Sequence, residues 1–280
     1  MTKYINEIHD EERAFYSVSD AELKDCSFEG PADGESALKE ASGIKVLNCR
    51  FLLRYPLWHV TDAYIADSVM TDTCRAALWY DKDIIITGCN LGGIKALREC
   101  TNVDISDSKI NSTEFGWFCN DVKIKYTSMI SEYPFLKAKN MEFENFTMNA
   151  KYSFQYAEDV IIRNSILNTK DAFWHSKNIT VYDSVVSGEY LGWYSESLRL
   201  VRCTIIGTQP LCYAKGLVLE GCEMEDCDLS FEKSDVRARI NGKIDSVKNP
   251  LSGFIHADEI GEIILDSTNS CCEILCKSGK

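Results

Sequence analysis

A period of 19 residues restricts this chain more than any other feature. The stretch Val103-Asp104-Ile105-Ser106-Asp107-Ser108-Lys109-Ile110 alternates apolar and polar residues and ends in a turn around Asp107, and near-copies recur along almost the whole sequence. Aligned on that turn, the equivalent positions are Asn48, Asp67, Gly88, Asp107, Tyr126, Asn145, Asn164, Asp183, Arg202 and Gly221. Every step is 19 residues except the 21 between Asp67 and Gly88. An earlier copy ends at Asp25, 23 residues before Asn48. Asn, Asp and Gly sharing one slot suit a bend that needs left-handed backbone angles.

Each copy also carries the same apolar columns. One passes through Ile84, Val103, Val122 and Ile179; a second, two residues on, through Ile86, Ile105, Ile124 and Val181; a third through Leu91, Ile110, Met129 and Leu167. A spacing of two puts those side chains on one face of a strand. Nineteen residues are too few for a strand plus a packed helix, and β-branched residues dominate the columns. These constraints predict an all-β chain: a right-handed parallel β-helix of about twelve coils, stacked about 4.8 Å apart.

Two further ladders follow the period. Asp62, Asp83, Asn102, Asp121, Asn140, Asp159 and Asn178 mark a second corner, and bend formation explains them better than a cation site does. Cys49, Ser68, Cys89, Ser108 and Thr127 read as small buried groups beside the first turn.

The pattern predicts one β-helix domain over 1–280, with an N-terminal cap over 1–20 and regular coils over 44–240. A last coil and C-terminal cap follow over 241–280, with Phe254 to Leu265 as the coil and a tail from Ser267. The first coil is expected to begin near Arg13-Ala14-Phe15-Tyr16. Asp33 to Ala41 reads as a short helix insertion with Asp33 as its N-cap.

The formal net charge of −13 argues against nucleic acid and against an anionic membrane surface as partners. The start lacks the apolar core of a signal peptide and no run of about 18 apolar residues occurs, so the expectation is a cytoplasmic protein whose 13 cysteines are mostly thiols. Cys271, Cys272 and Cys276 cluster near the C-terminus, where a packed or exposed tail is favoured over a metal site. No metal and no cofactor are expected; oligomerisation stays open.

All five tryptophans fall in one register: Trp58, Trp79, Trp117, Trp174 and Trp193, a slot held elsewhere by Arg98, Leu136, Gln155, Cys212 and Phe231. The next slot holds His59, Tyr80, Glu99, Phe118, Tyr156, His175, Tyr194 and Tyr213. Strand alternation makes one of these columns face out. Small residues two beyond the tryptophans, such as Cys119 and Ala138, look internal, which would turn the tryptophans inward and the His/Tyr column to solvent. Packing explains such stacks without a ligand; an exposed aromatic strip also suits a glycan or protein ligand. Just before the strip lie Arg54, Arg75, Glu114, Glu132, Asp171 and Glu189. Glu114 and Glu132, and again Asp171 and Glu189, sit on adjacent coils, so they are the candidate acid pairs for a glycosidase-like reaction, with solvated charges as the plainer reading.

The runs Arg54-Tyr55-Pro56-Leu57-Trp58-His59, Leu78-Trp79-Tyr80, Glu114-Phe115-Gly116-Trp117 and Leu191-Gly192-Trp193-Tyr194 resemble domain-of-unknown-function family 3737, over nearly the whole chain. The resemblance implies a right-handed, pectin-lyase-like β-helix and carries over no catalytic residue. Three functional readings follow. The first is a binding or scaffold module using the aromatic strip. The second is a carbohydrate-active enzyme, hydrolase-like or polysaccharide-lyase-like, with acids beside that strip. The third is a purely structural, self-assembling solenoid.

Overall fold

A computed structural model describes residues 1–30, 35–266 and 270–277. The chain is a right-handed parallel β-helix of about fourteen turns, and no helix forms among the described residues. It divides into two compact units, Met1–Glu142 and Phe143–Lys280.

In the first unit, Thr2–Ile5, Ala21–Lys24, Ser42–Leu47, Thr61–Ala66, Lys82–Thr87 and Thr101–Ser106 pair in parallel, one strand per coil. A second ladder runs through Arg50–Phe51, Val69–Met70, Asn90–Ile94 and Lys109–Thr113. A third, only two residues wide, joins Leu57–Trp58, Leu78–Trp79 and Leu97–Arg98. The second unit repeats the first two ladders, for instance Glu158–Arg163 on Lys177–Tyr182 and Thr147–Lys151 on Ile166–Lys170.

The register is the one the 19-residue period demands: Val103 lies beside Ile84 and Val122, and Ile105 beside Ile86 and Ile124. These side chains are buried, as are stacked phenylalanines such as Phe28 on Phe51 and Phe154 on Phe173. Every turn residue from Asn48 to Gly221 in the aligned slot has φ between 49° and 65°, the left-handed bend expected. The second corner is built the same way, and its side chains link coils: Asn102 Nδ2 donates to Asp83 Oδ1 at 2.6 Å and Asn178 Nδ2 to Asp159 Oδ1 at 3.0 Å. In the small-residue ladder, Ser68 Oγ accepts the Cys49 amide and Ser108 Oγ the Cys89 amide, each at 3.0 Å. Those hydroxyls satisfy buried backbone donors that the turn leaves out of the strand ladder.

Four expectations are corrected. The coil number is about fourteen, not twelve, because coils continue to both ends. Thr2–Ile5 already pairs with Ala21–Lys24, so the segment expected as a cap is itself a coil and begins well before Arg13. At the other end Glu273–Cys276 pairs with Ser252–Ala257, so the tail contributes a strand; its expected start, Ser267, lies outside the described residues. The helix expected over Asp33 to Ala41 does not form among its described residues. Asp33 lies outside the described residues, and Ala37 to Glu40 make a corner. The amides of Ser36, Leu38 and Glu40 donate to Arg54, Pro56 and Trp58 carbonyls on the next coil, so they are not free to close helical turns.

Candidate ligand-binding site

The aromatic register occupies the third corner of each coil, and that corner is not an ordinary strand. In the second unit it alternates left-handed residues: Tyr152, Phe154 and Tyr156, then Asp171, Phe173 and His175, all with φ between 52° and 61°. A left-handed residue reverses the direction that simple alternation assigns to the next side chain. Both columns therefore reach the outside. The tryptophans are half-buried, which corrects the expectation that they turn inward; in the His/Tyr column Tyr80 (42%), Phe118 (41%), Tyr156 (46%) and Tyr194 (43%) are exposed as expected, whereas Tyr213 is half-buried.

The rings of this column stack on one another. In the second unit Tyr156, His175, Tyr194 and Tyr213 follow at 5.0 Å between centroids, with interplanar angles of 4°, 6° and 20°. In the first unit His59 stacks on Tyr80 at 5.0 Å. Beneath them Trp174 stacks on Trp193 at 5.7 Å and Trp58 on Trp79 at 5.5 Å. Parallel neighbours use up each other's faces, so the ladders present ring edges to solvent, with phenol hydroxyls and imidazole nitrogens at their tips. Phe118 stands apart, with the Arg98 guanidinium 5.4 Å from its ring centre.

The two tryptophan pairs differ in their indole N–H groups. Trp174 Nε1 donates to the Tyr190 carbonyl and Trp193 Nε1 to the Gln209 carbonyl, both at 2.8 Å; Trp117 Nε1 likewise reaches the Tyr133 carbonyl. Trp58 Nε1 and Trp79 Nε1 are buried without an acceptor. The backbone beside them differs too. Leu57 and Leu78 donate their amides forward, to Ala77 and Ala96 of the next coil. Gly116, Phe173 and Gly192 donate backward, to Leu97, Ser153 and Ala172 of the previous coil. At Gly116 the backward peptide comes with φ 73° and an approach so close that a Cβ would lie 2.6 Å from the Phe135 ring, so glycine is required there.

Three residues missed at the sequence level, Tyr55, Ala76 and Lys95, sit beside the unpaired indoles together with Arg75 and Arg98. Tyr55, Arg75, Ala76, Trp79, Lys95 and Arg98 line a cavity of about 180 Å³. Arg75 and Lys95 occupy different slots of their coils, so no single column brings them together in the sequence. The corner does so by turning.

The candidate acids are placed as follows. Glu114 donates its amide to the Glu132 carbonyl at 2.7 Å, and Asp171 donates to the Glu189 carbonyl at 2.9 Å, so each pair does lie on adjacent coils. Glu114 Oε2 is 3.1 Å from Lys95 Nζ, and Glu189 Oε2 is 2.8 Å from Lys170 Nζ. Glu132 is exposed at the end of its strand. Asp171 is buried, and that burial pushes its carboxyl above the usual range, aided by Glu189 and opposed by Lys170. Arg54 Nε donates to Glu35 Oε1 at 2.6 Å. No cluster of three His, Cys, Asp or Glu side chains able to hold a metal occurs among the described residues.

A family model matches residues 2–275. The chain belongs to the family described as protein of unknown function (DUF3737). No curated protein matches this DUF3737 chain. Among solved structures it is similar to the A-module of the mannuronan C-5 epimerase AlgE6 of Azotobacter vinelandii, with 10% identity, TM-score 0.42, and 99% of this chain and 89% of that one covered. It is also similar to PfbA, a surface adhesin of Streptococcus pneumoniae, with 9% identity, TM-score 0.41, and 84% and 77% covered.

Proposed function

We propose that this protein is a binding module that holds a glycan chain along its exposed ring ladders. The observation that carries the reading is the run Tyr156, His175, Tyr194 and Tyr213, repeating at 5.0 Å. Because the faces are spent on stacking, what the ladder offers is a comb of evenly spaced hydroxyl and imidazole groups at exposed ring edges. A polymer with a hydroxyl on nearly every carbon matches such a comb, whereas the net charge of −13 disfavours a polyphosphate chain. A glycan array, followed by quenching of tryptophan fluorescence, tests it. Tyr194→Ala, which interrupts the comb, is expected to weaken the best ligand about tenfold, roughly 1.4 kcal/mol. Absence of any bound glycan, with self-association in light scattering, would replace this reading by a structural solenoid.

One observation favours glycoside cleavage as a second reading. Asp171 is a buried carboxyl held above its ordinary range next to Glu189, the arrangement a general acid needs. The same panel assayed for released sugar tests it: turnover that Asp171→Asn abolishes supports an enzyme, and no turnover removes the reading.

A further inference from the structure

The cavity lined by Tyr55, Arg75, Ala76, Trp79, Lys95 and Arg98 collects cations in a chain that is acidic overall. Two of them are partly neutralised: Arg98 Nε lies 2.9 Å from Glu99 Oε1, and Lys95 Nζ 3.1 Å from Glu114 Oε2. Arg75 has no ion-pair partner among the described residues. Three cations against two carboxylates leave one positive charge. Two buried donors point the same way, since Arg98 Nη1 and Trp79 Nε1 both lack an acceptor within the protein. Buried donors are nearly always satisfied, and a charged one above all. The other tryptophans with assigned indole bonds, Trp117, Trp174 and Trp193, meet that demand from the adjacent coil.

We propose that this cavity binds the carboxylate of a uronic-acid unit, accepting from Arg98 Nη1 and Trp79 Nε1 while the sugar ring lies against Tyr55 and Trp79. One surplus positive charge balances a monoanion, not a dianion. The Tyr55 ring, 5.8 Å from both Trp58 and Trp79, supplies an apolar wall for a ring-sized body. A volume of about 180 Å³ is several times the ~30 Å³ share of one water and below the ~300 Å³ at which drug-sized pockets begin. The inference deepens the glycan-binding reading, on which it rests for the class of ligand, by naming an acidic sugar.

Titration of the full chain with sodium glucuronate, glucose and inorganic phosphate at constant ionic strength tests it, read by tryptophan fluorescence and by Tm. Glucuronate is expected to bind saturably and raise Tm, with glucose silent at the same concentrations. Trp79→Phe keeps an aromatic ring, though a smaller one, and deletes the N–H. Arg98→Gln deletes the charge. Each is expected to raise Kd about tenfold. Arg75→Gln, at an exposed side chain, guards against a folding artefact and is expected to raise Kd by a smaller factor. Equal response to glucose, no saturable response to glucuronate, or an unchanged Kd in both Trp79→Phe and Arg98→Gln overturns the proposal. Phosphate binding tighter than glucuronate overturns the carboxylate assignment. Glucuronate is a single ring and reads the cavity alone. If it binds through Arg98 while the glycan array stays blank, the ladder reading falls and the cavity stands; the reverse result removes only the cavity.

Discussion

Trp58 and Trp79 in one unit, and Trp174 and Trp193 in the other, are the same residue type in the same slot with almost the same stacking, 5.5 Å and 5.7 Å between rings. Only the second pair spends its N–H groups on its own scaffold. The peptide that carries the Phe173 N–H is turned so that this corner bonds backward, whereas the corner at Leu57 and Leu78 bonds forward. A repeat can therefore keep its side-chain column while the peptides beneath it change direction. The unit with unpaired indoles is also the one with the cationic cavity. Uniform stacking makes a wall, and a local departure from it makes a place where something else can bind.

The largest expected effects test whether the two corners rest on equivalent cores. Phe173 and Leu78 hold the same slot, 1% and 0% exposed. Phe173→Ala is expected to cost about 3–5 kcal/mol and Leu78→Ala about 2–5 kcal/mol, measured by denaturant unfolding. A loss at either site below ~1 kcal/mol would mean that its corner is not part of the cooperative core.

The next effect concerns the slot two beyond the tryptophans, where the first unit has Asp81 and the second has Ser176 and Ser195. Asp81 is buried; its Oδ1 accepts the Val60 amide at 2.8 Å and its Oδ2 has no partner. Burial holds this carboxyl well above the usual range, with Cys100 adding and the Val60 amide opposing. The folded chain thus keeps a proton that the unfolded chain releases above about pH 4. Stability should fall as pH rises from there, by about 1.4 kcal/mol per unit for this group, until the buried carboxyl itself ionises. Asp81→Ser, supplying the hydroxyl acceptor that Ser234 Oγ already provides to the Ala214 amide, should abolish that slope. An unchanged pH profile of urea midpoints would show that Asp81 is not the titrating group.

The smallest effect is the most direct test of the contrast. Trp193→Phe strips the Gln209 carbonyl of its donor, whereas Trp79→Phe removes an N–H with no acceptor. Both lose similar ring area, so Trp193→Phe should be the more destabilising by about 1 kcal/mol. Equal losses in thermal unfolding would erase the distinction between the two pairs.

Much of this molecule was legible in the sequence. Asp107 and its equivalents all take left-handed angles, because a bend repeated at one slot selects Asn, Asp and Gly there and stacking enforces it even on Tyr126 and Arg202. The exposed His59, Tyr80 and Tyr194 were legible from the same register. The helix assigned to Asp33–Ala41 failed because local propensity lost to inter-coil hydrogen bonds. The half-buried tryptophans were misplaced because period-two alternation was extended into a corner that is not a strand. Tyr55 and Lys95 went unnoticed because they share no column with Arg98.

By itself the sequence determined the coil: its length, its bends, the columns that fill it and the order in which they stack. Those follow from a periodic pattern that only in-register parallel stacking satisfies. The tertiary structure alone decided which way each corner peptide points, and so which indole N–H groups are spent and which stay buried without an acceptor beside Arg75, Lys95 and Arg98. Peptide orientation depends on neighbouring coils and leaves almost no trace in residue type. At Gly116 it does, because no side chain fits.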